Sequence, residues 1–224
     1  MMMGISGFEP TFLVGLEAVR ENHGPRLAAL GGRRLTGYAL VRFVEDGEWF
    51  ADCPVVLDFE GVRVEICHRK FDELSISWNT VDTTAVITGW QESEFTPTWS
   101  SADERLEPFA GRKLREVSLL EWRSSGQDLA DGAIAVEFAF DAGRFCIANG
   151  LDENSIEVGD PDPDFVRHHW AHEGRPSTLA SGSLASQSPR QSPPRGTAGH
   201  VAARFLRRCR TYRPGQPPSR KSVT

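Results

Sequence analysis

Six side chains with metal-ligating chemistry crowd one stretch: Asp160, Asp162, Asp164, His168, His169 and His172. On a helix, His168 and His172 would sit four residues apart on one face. Two imidazoles with a carboxylate suit zinc or another divalent ion. Asp162, Asp164, His168 and His172 therefore form a candidate metal site. Against it, no H-E-x-x-H signature is present, and Asp-Pro-Asp-Pro reads equally well as a turn-rich exit from a domain. A second constellation is a pair of similar turns, Asn79-Thr80-Val81-Asp82 and Asn149-Gly150-Leu151-Asp152. If the two turns face each other, Asn79, Asp82, Asn149 and Asp152 would present ligand-binding oxygens to a shared groove. The competing reading is two copies of one ordinary turn, since Asn-Gly is first of all a hairpin signal. Residues 149–154 lack the Gly and Glu positions of a calcium-binding EF-hand loop.

Other reaction machinery is missing from the sequence. There is no G-x-S-x-G, no Walker A loop and no G-x-G-x-x-G. Cys67 and His68 are neighbours, and neighbours on a strand point to opposite faces. No catalytic residue is assigned and no cofactor is called for. Cys53, Cys67, Cys146 and Cys209 have no C-x-x-C spacing. They read as free thiols in a reducing cytoplasm. No run of 18 apolar residues suggests a transmembrane helix, and residues 1–5 lack the features of a secretory signal.

The elements that must position these residues are β-hairpins. In residues 54–67, Val55, Leu57 and Phe59 alternate with Val56, Asp58 and Glu60. Glu60-Gly61 turns the chain, and Val62, Val64 and Ile66 alternate with Arg63, Glu65 and Cys67. A period of two predicts one buried and one wet face. The pattern returns in Ile134, Val136, Phe138 and Phe140, with a turn at Asp141-Ala142-Gly143 and a return through Phe145 and Ile147. Both hairpins follow a similar opener, Gly32-Arg33-Arg34-Leu35 and Gly111-Arg112-Lys113-Leu114. Residues 32–90 and 111–158 thus read as pseudo-repeated β-units. The expected fold is mainly β, a sandwich or partly open barrel, with one N-terminal helix and a short connector helix.

In chain order, residues 1–9 are expected to be unordered. A helix is expected over 10–22, ended by Gly24-Pro25 within an N-terminal segment 1–30. The β domain spans 31–172. It includes a strand over 84–90, a helical connector after the capping-box pattern Ser101-Ala102-Asp103-Glu104, and a bulged strand over 114–122. Residues 165–172 are expected to form a final helical turn. Residues 173–224, rich in Ser, Pro and Arg, are expected to be disordered.

The net charge of −6 hides a split. Residues 1–172 carry 15 Lys+Arg against 30 Asp+Glu, and residues 173–224 carry ten against one, giving −15 and +9. Only three of the 25 basic residues are Lys, a bias that fits a GC-rich bacterial genome. Residues 31–158 loosely resemble small acidic β-rich proteins of actinobacteria. In size and charge alone, the chain is similar to immunity proteins that neutralise toxins. No motif carries either likeness and no residue role follows from them. The leading expectation is a non-enzymatic, cytoplasmic protein-binding module. Its acidic surface would repel nucleic acid and favour a basic protein partner. The alternatives are a small-ligand or metal-dependent enzyme working in a groove between the β-units, and a nucleic-acid or membrane contact through the basic segment 201–213.

Overall fold

The computed structural model describes residues 3–124 and 128–170. His172, Cys209 and the basic segment 173–224 lie outside the described residues. The elements are β1 (Phe12–Val14), α1 (Leu16–Ala28), β2 (Leu35–Phe43), β3 (Val55–Phe59), β4 (Val62–Arg69), β5 (Glu73–Trp78), β6 (Pro97–Ser100), β7 (Leu114–Trp122), β8 (Ile134–Phe140), β9 (Gly143–Asn149), β10 (Asn154–Val158) and β11 (Phe165–His168). They build two antiparallel sheets, a six-stranded one in the order β1-β5-β4-β3-β2-β6 and a five-stranded one in the order β10-β9-β8-β7-β11. The arrangement is sandwich-like, and neither sheet closes into a barrel.

Both organising hairpins form in the register that their alternation predicts. Leu57 faces Val64 in one, and Val136 faces Ile147 in the other. The two sheets share one plan. Each contains a four-strand meander with a further strand beside the meander's first strand, and the six-stranded sheet adds β1 beside its last. Both first strands are irregular at the same place, between Leu35 and Gly37 and between Leu114 and Glu116. The openers meet directly. Arg34 and Lys113 bridge, and the Leu35 N–H donates to Arg112 O at 3.0 Å while the Leu114 N–H donates to Arg33 O at 2.7 Å. The Gly32 N–H reaches Leu114 O and the Gly111 N–H reaches Leu35 O. Each of these backbone bonds has its counterpart in the other opener, which is a local two-fold.

The inner faces make one core. Leu57, Phe59, Val64 and Ile66 pack with Val136, Phe138, Phe145 and Ile147. Phe59 stacks on Phe138 with ring centroids 5.7 Å apart. Each such fully buried side chain contributes roughly 1.5–3 kcal/mol of transfer free energy. Val19 and Leu27 of α1, followed by Leu30, join the same core.

The outer faces differ from expectation. The hairpins are not wet on one side: Glu65 is 1% exposed and Glu137 is 2%. Topology gives the reason. Joining a meander's last strand to the strand beyond its first requires the chain to cross the sheet. In the six-stranded sheet residues 79–96 make this crossing, with the N-terminal segment beside them. Ile5, Phe8, Val81 and Ile87 pack on Val41, Val56 and Cys67. The first nine residues are therefore ordered from Met3 onward rather than unordered. In the five-stranded sheet the crossing is residues 159–164. The Gly159 N–H donates to Arg144 O on β9, and the Arg123 N–H after β7 donates to Asp164 O. Asp-Pro-Asp-Pro is thus a strap across the face, not a domain exit.

Four local expectations are corrected for related reasons. Residues 84–90 form no strand. Their backbone is held by the N-terminal segment, through Thr88 N–H to Gly4 O, and Val86 is 82% exposed. The helix begins at Leu16, because Phe12–Val14 is recruited as a strand beside β5. It also runs through Pro25 to Ala28. Proline removes one helical hydrogen bond, and the burial of Leu27 and Leu30 offsets that loss. The connector holds only a 3-10 turn, Glu107–Phe109, whose Phe109 packs at 5.1 and 5.0 Å on Phe140 and Phe145. The expected helical turn near the histidines is instead strand β11, paired with β7.

Candidate functional site: an acid-rimmed aromatic patch

The residues singled out by sequence are held in separate places. Asn79 has φ 59°, and its Oδ1 accepts the Arg63 N–H at 2.8 Å. Asp82 Oδ1 accepts the Thr84 hydroxyl at 2.7 Å and the Thr84 N–H at 2.9 Å, which holds its carboxyl below the usual range. Asn149 Oδ1 accepts the N–H groups of Leu151 and Asp152 at 3.0 and 3.1 Å. Its amide donates to Lys70 O in the β4–β5 turn. Asp152 is exposed, and its charge adds to burial in raising the Asp52 carboxyl. Asn79 follows the fourth strand of its meander, whereas Asn149 is the last residue of the third. The two Asn-x-x-Asp turns are therefore not equivalent: the Asp82 and Asn149 side chains close their own turns, whereas Asn79 is tied to β4 through Arg63.

The histidine stretch is also separated. His168 ends β11 with Nε2 3.0 Å from Glu121 Oε2 on β7, and His169 Nδ1 contacts Glu116. Asp162 Oδ1 accepts the Asp164 N–H at 3.0 Å, and Asp164 is exposed. His168 thus lies on a strand rather than on the expected helical turn. Among the described residues, no three His, Cys, Asp or Glu side chains converge as a metal-binding group.

Glu65 and Glu137, on the faces expected to be wet, are interior, and so is Asp103. Glu65 accepts the N–H groups of Thr80 and Val81 at 2.7 and 3.0 Å, together with the hydroxyls of Thr80 and Ser77. It pins the start of the 79–96 crossing to β4. Glu137 accepts Arg167 through both carboxylate oxygens at 2.8 Å, with Arg144 at 3.5 Å. Asp103 binds Arg42 at 2.8 Å and Arg105 at 2.7 Å. These groups are consumed in holding the fold.

One surface has charges that are not consumed. β2 ends at Phe43, and the turn after it is closed by the Gly47 N–H to Phe43 O at 2.9 Å and the Phe43 N–H to Glu48 O at 3.0 Å. The returning chain brings Phe50 beside Phe43, with centroids 5.0 Å apart. The 79–96 crossing adds Trp90, 6.0 Å from Phe43 and 5.4 Å from Phe50, and Phe95, 5.1 Å from Phe43. Trp90 is anchored through its indole N–H to Met3 O at 3.4 Å. The four rings are half-buried, and Val44 beside them is 63% exposed. Around them stand Glu45, Asp46, Glu48, Glu92 and Glu94, all exposed.

None of those five carboxylates has an ion-pair partner among the described residues. Arg42 precedes Phe43 on β2, but its guanidinium binds Asp103 and Gly47 O. Glu45 Oε2 accepts the Thr96 N–H at 2.9 Å, which keeps its carboxyl below the usual range and ties the two rims together. Ring faces and carboxylates both attract ammonium and guanidinium groups. Sequence reading missed this site because its aromatics come from two distant segments. The signal was present: Trp49-Phe50 and Trp90 to Phe95 are each flanked by Glu-rich turns.

Compared with family models, curated proteins and solved structures, the chain shows no significant match to any of them.

Proposed function

We propose that the β-sandwich is a non-enzymatic protein-binding module whose aromatic patch receives a basic segment of a partner protein. The observation that carries this reading is the uncompensated rim of five carboxylates around the Phe43, Phe50, Trp90 and Phe95 rings. Aromatic side chains are the commonest anchors of protein interfaces, and a rim of one charge sign selects the opposite sign in the partner. The shared plan of the two sheets supports an internally duplicated unit. The 79–96 crossing, much longer than 159–164, would be the addition that gives one copy its patch. The free, buried thiols of Cys53, Cys67 and Cys146 support residence in a reducing compartment such as the cytoplasm.

The test is a titration with a short peptide of alternating Lys and Leu, followed by intrinsic Trp fluorescence. Saturable binding is expected, weakening at least tenfold in a variant carrying Glu45→Gln, Glu48→Gln, Glu92→Gln and Glu94→Gln. Equal affinity of the variant and the parent chain would remove the patch from consideration.

A further inference from the structure

The opener crossing carries the opposite charge. Of the 15 basic residues in 1–172, ten have a carboxylate within ion-pair distance among the described residues. The remaining five are Arg26, Arg33, Arg34, Arg112 and Lys113. Arg26 lies over the Trp78 ring, 4.5 Å from its centroid. The other four all belong to the two openers, which the local two-fold brings together. Arg34 and Lys113 face each other across an antiparallel bridge whose hydrogen bonds are made by the flanking residues. In such a pair the side chains stand on one face at their closest approach, with Cα atoms about 4.5 Å apart. Like charges placed directly opposite are unfavourable. In a domain with twice as many acids as bases, two unpaired cations in that position call for an anion.

The surroundings form a seat for one. Arg34, Arg112 and Lys113 line a shallow depression of about 470 Å³ with Asp141 and Ala142 of the β8–β9 turn. A second depression of about 430 Å³ adjoins it through Lys113 and Asp141 and adds Arg115. Asp141 contacts Arg115, and the one carboxylate faces four cations, so the two depressions stay net positive. Arg34 Nη1 donates to Gly111 O at 3.1 Å, which holds the guanidinium over the crossing.

We infer that this crossing binds a compact, multiply charged oxyanion, the phosphate or diphosphate group of a small molecule. Duplex nucleic acid is the extended alternative, and the charge layout argues against it. One duplex turn is about 34 Å long and carries a charge every 1.7 Å or so. Any stretch reaching past the openers would meet the carboxylates that dominate the rest of the domain.

Amide shift mapping of the full chain with inorganic pyrophosphate tests the inference, at ionic strength matched with chloride. Saturable shifts are expected at Gly32, Gly111 and Lys113. Affinity should fall at least tenfold in the double variant Arg34→Gln/Lys113→Gln, whose exposed side chains leave the core intact, as an unchanged melting temperature would verify. Three results would overturn the inference. These are no saturable shift at those amides, equal affinity in the double variant, and displacement of pyrophosphate from them by a short DNA duplex at lower concentration.

Discussion

Glu137 shows how much of this chain's charge is structural. It is 2% exposed and accepts Arg167 and Arg144, whose side chains remain 30% and 33% exposed. Removing one member of a buried ion pair costs about 3–5 kcal/mol. Because the arginines keep access to water, Glu137→Ala is expected near the low end, about 3 kcal/mol, read from urea unfolding. Its position beside Val136 and Phe138 was legible; its burial was not, because nothing in the alternation announces a strap across the outer face. The cysteines follow the same logic. Burial pushes the Cys67 thiol up to about 12 and raises Cys53 and Cys146 also. Thiolate is the reactive form. At pH 8 an alkylating reagent should leave all three unmodified in the native chain and modify them in urea, as peptide mass spectrometry would show.

At the scale of elements, the two sheets are stitched by His68 of β4 and Asn154 of β10. Asn154 Oδ1 accepts the His68 N–H at 2.8 Å, and its amide donates to Ala51 O and Cys53 O at 2.8 and 2.9 Å. The His68 ring lies between Asn154 Oδ1 at 3.1 Å and Ile134 O at 3.0 Å. Each buried polar group left without a partner costs about 1–3 kcal/mol. Asn154→Leu, matching Leu74 at the corresponding place in the first meander, should therefore destabilise by roughly 3 kcal/mol. Burial holds the His68 pKa below its ordinary value, more strongly than its two hydrogen bonds raise it. The unfolded chain thus binds a proton first as pH falls through about 6.5. Stability should therefore fall as the pH drops below about 6.5, and fall less in His68→Gln. The ladder strands were readable because alternation and turn chemistry agree in each hairpin. β1, β11 and the two crossings were not. Phe12–Val14 and Phe165–His168 are too short to show a period, and the crossings are polar chains whose burial is imposed by strand order. The likeness of the Asn79 and Asn149 stretches in sequence does not extend to their places in the fold, since Asn79 follows the fourth strand of its meander and Asn149 ends the third.

Over the whole molecule, the acidic excess of residues 1–172 is unevenly spent. Interior carboxylates hold crossings and edge strands, while those of residues 45–48 and 92–94 remain unpaired around aromatic rings. The openers keep the unpaired cations. Attraction between exposed charges is screened over about 30 Å at 0.01 M salt and about 8 Å at 0.15 M. Affinity for a basic peptide should therefore fall steeply across that range, with a residual part from ring contact that salt does not remove. The most direct measurement is hydrogen exchange of the full chain with and without the Lys-Leu peptide. Slowed exchange confined to residues 43–50 and 90–96 is the predicted result. Protection instead at the 159–168 strap and strand, or no protection anywhere under saturating peptide, would contradict the account.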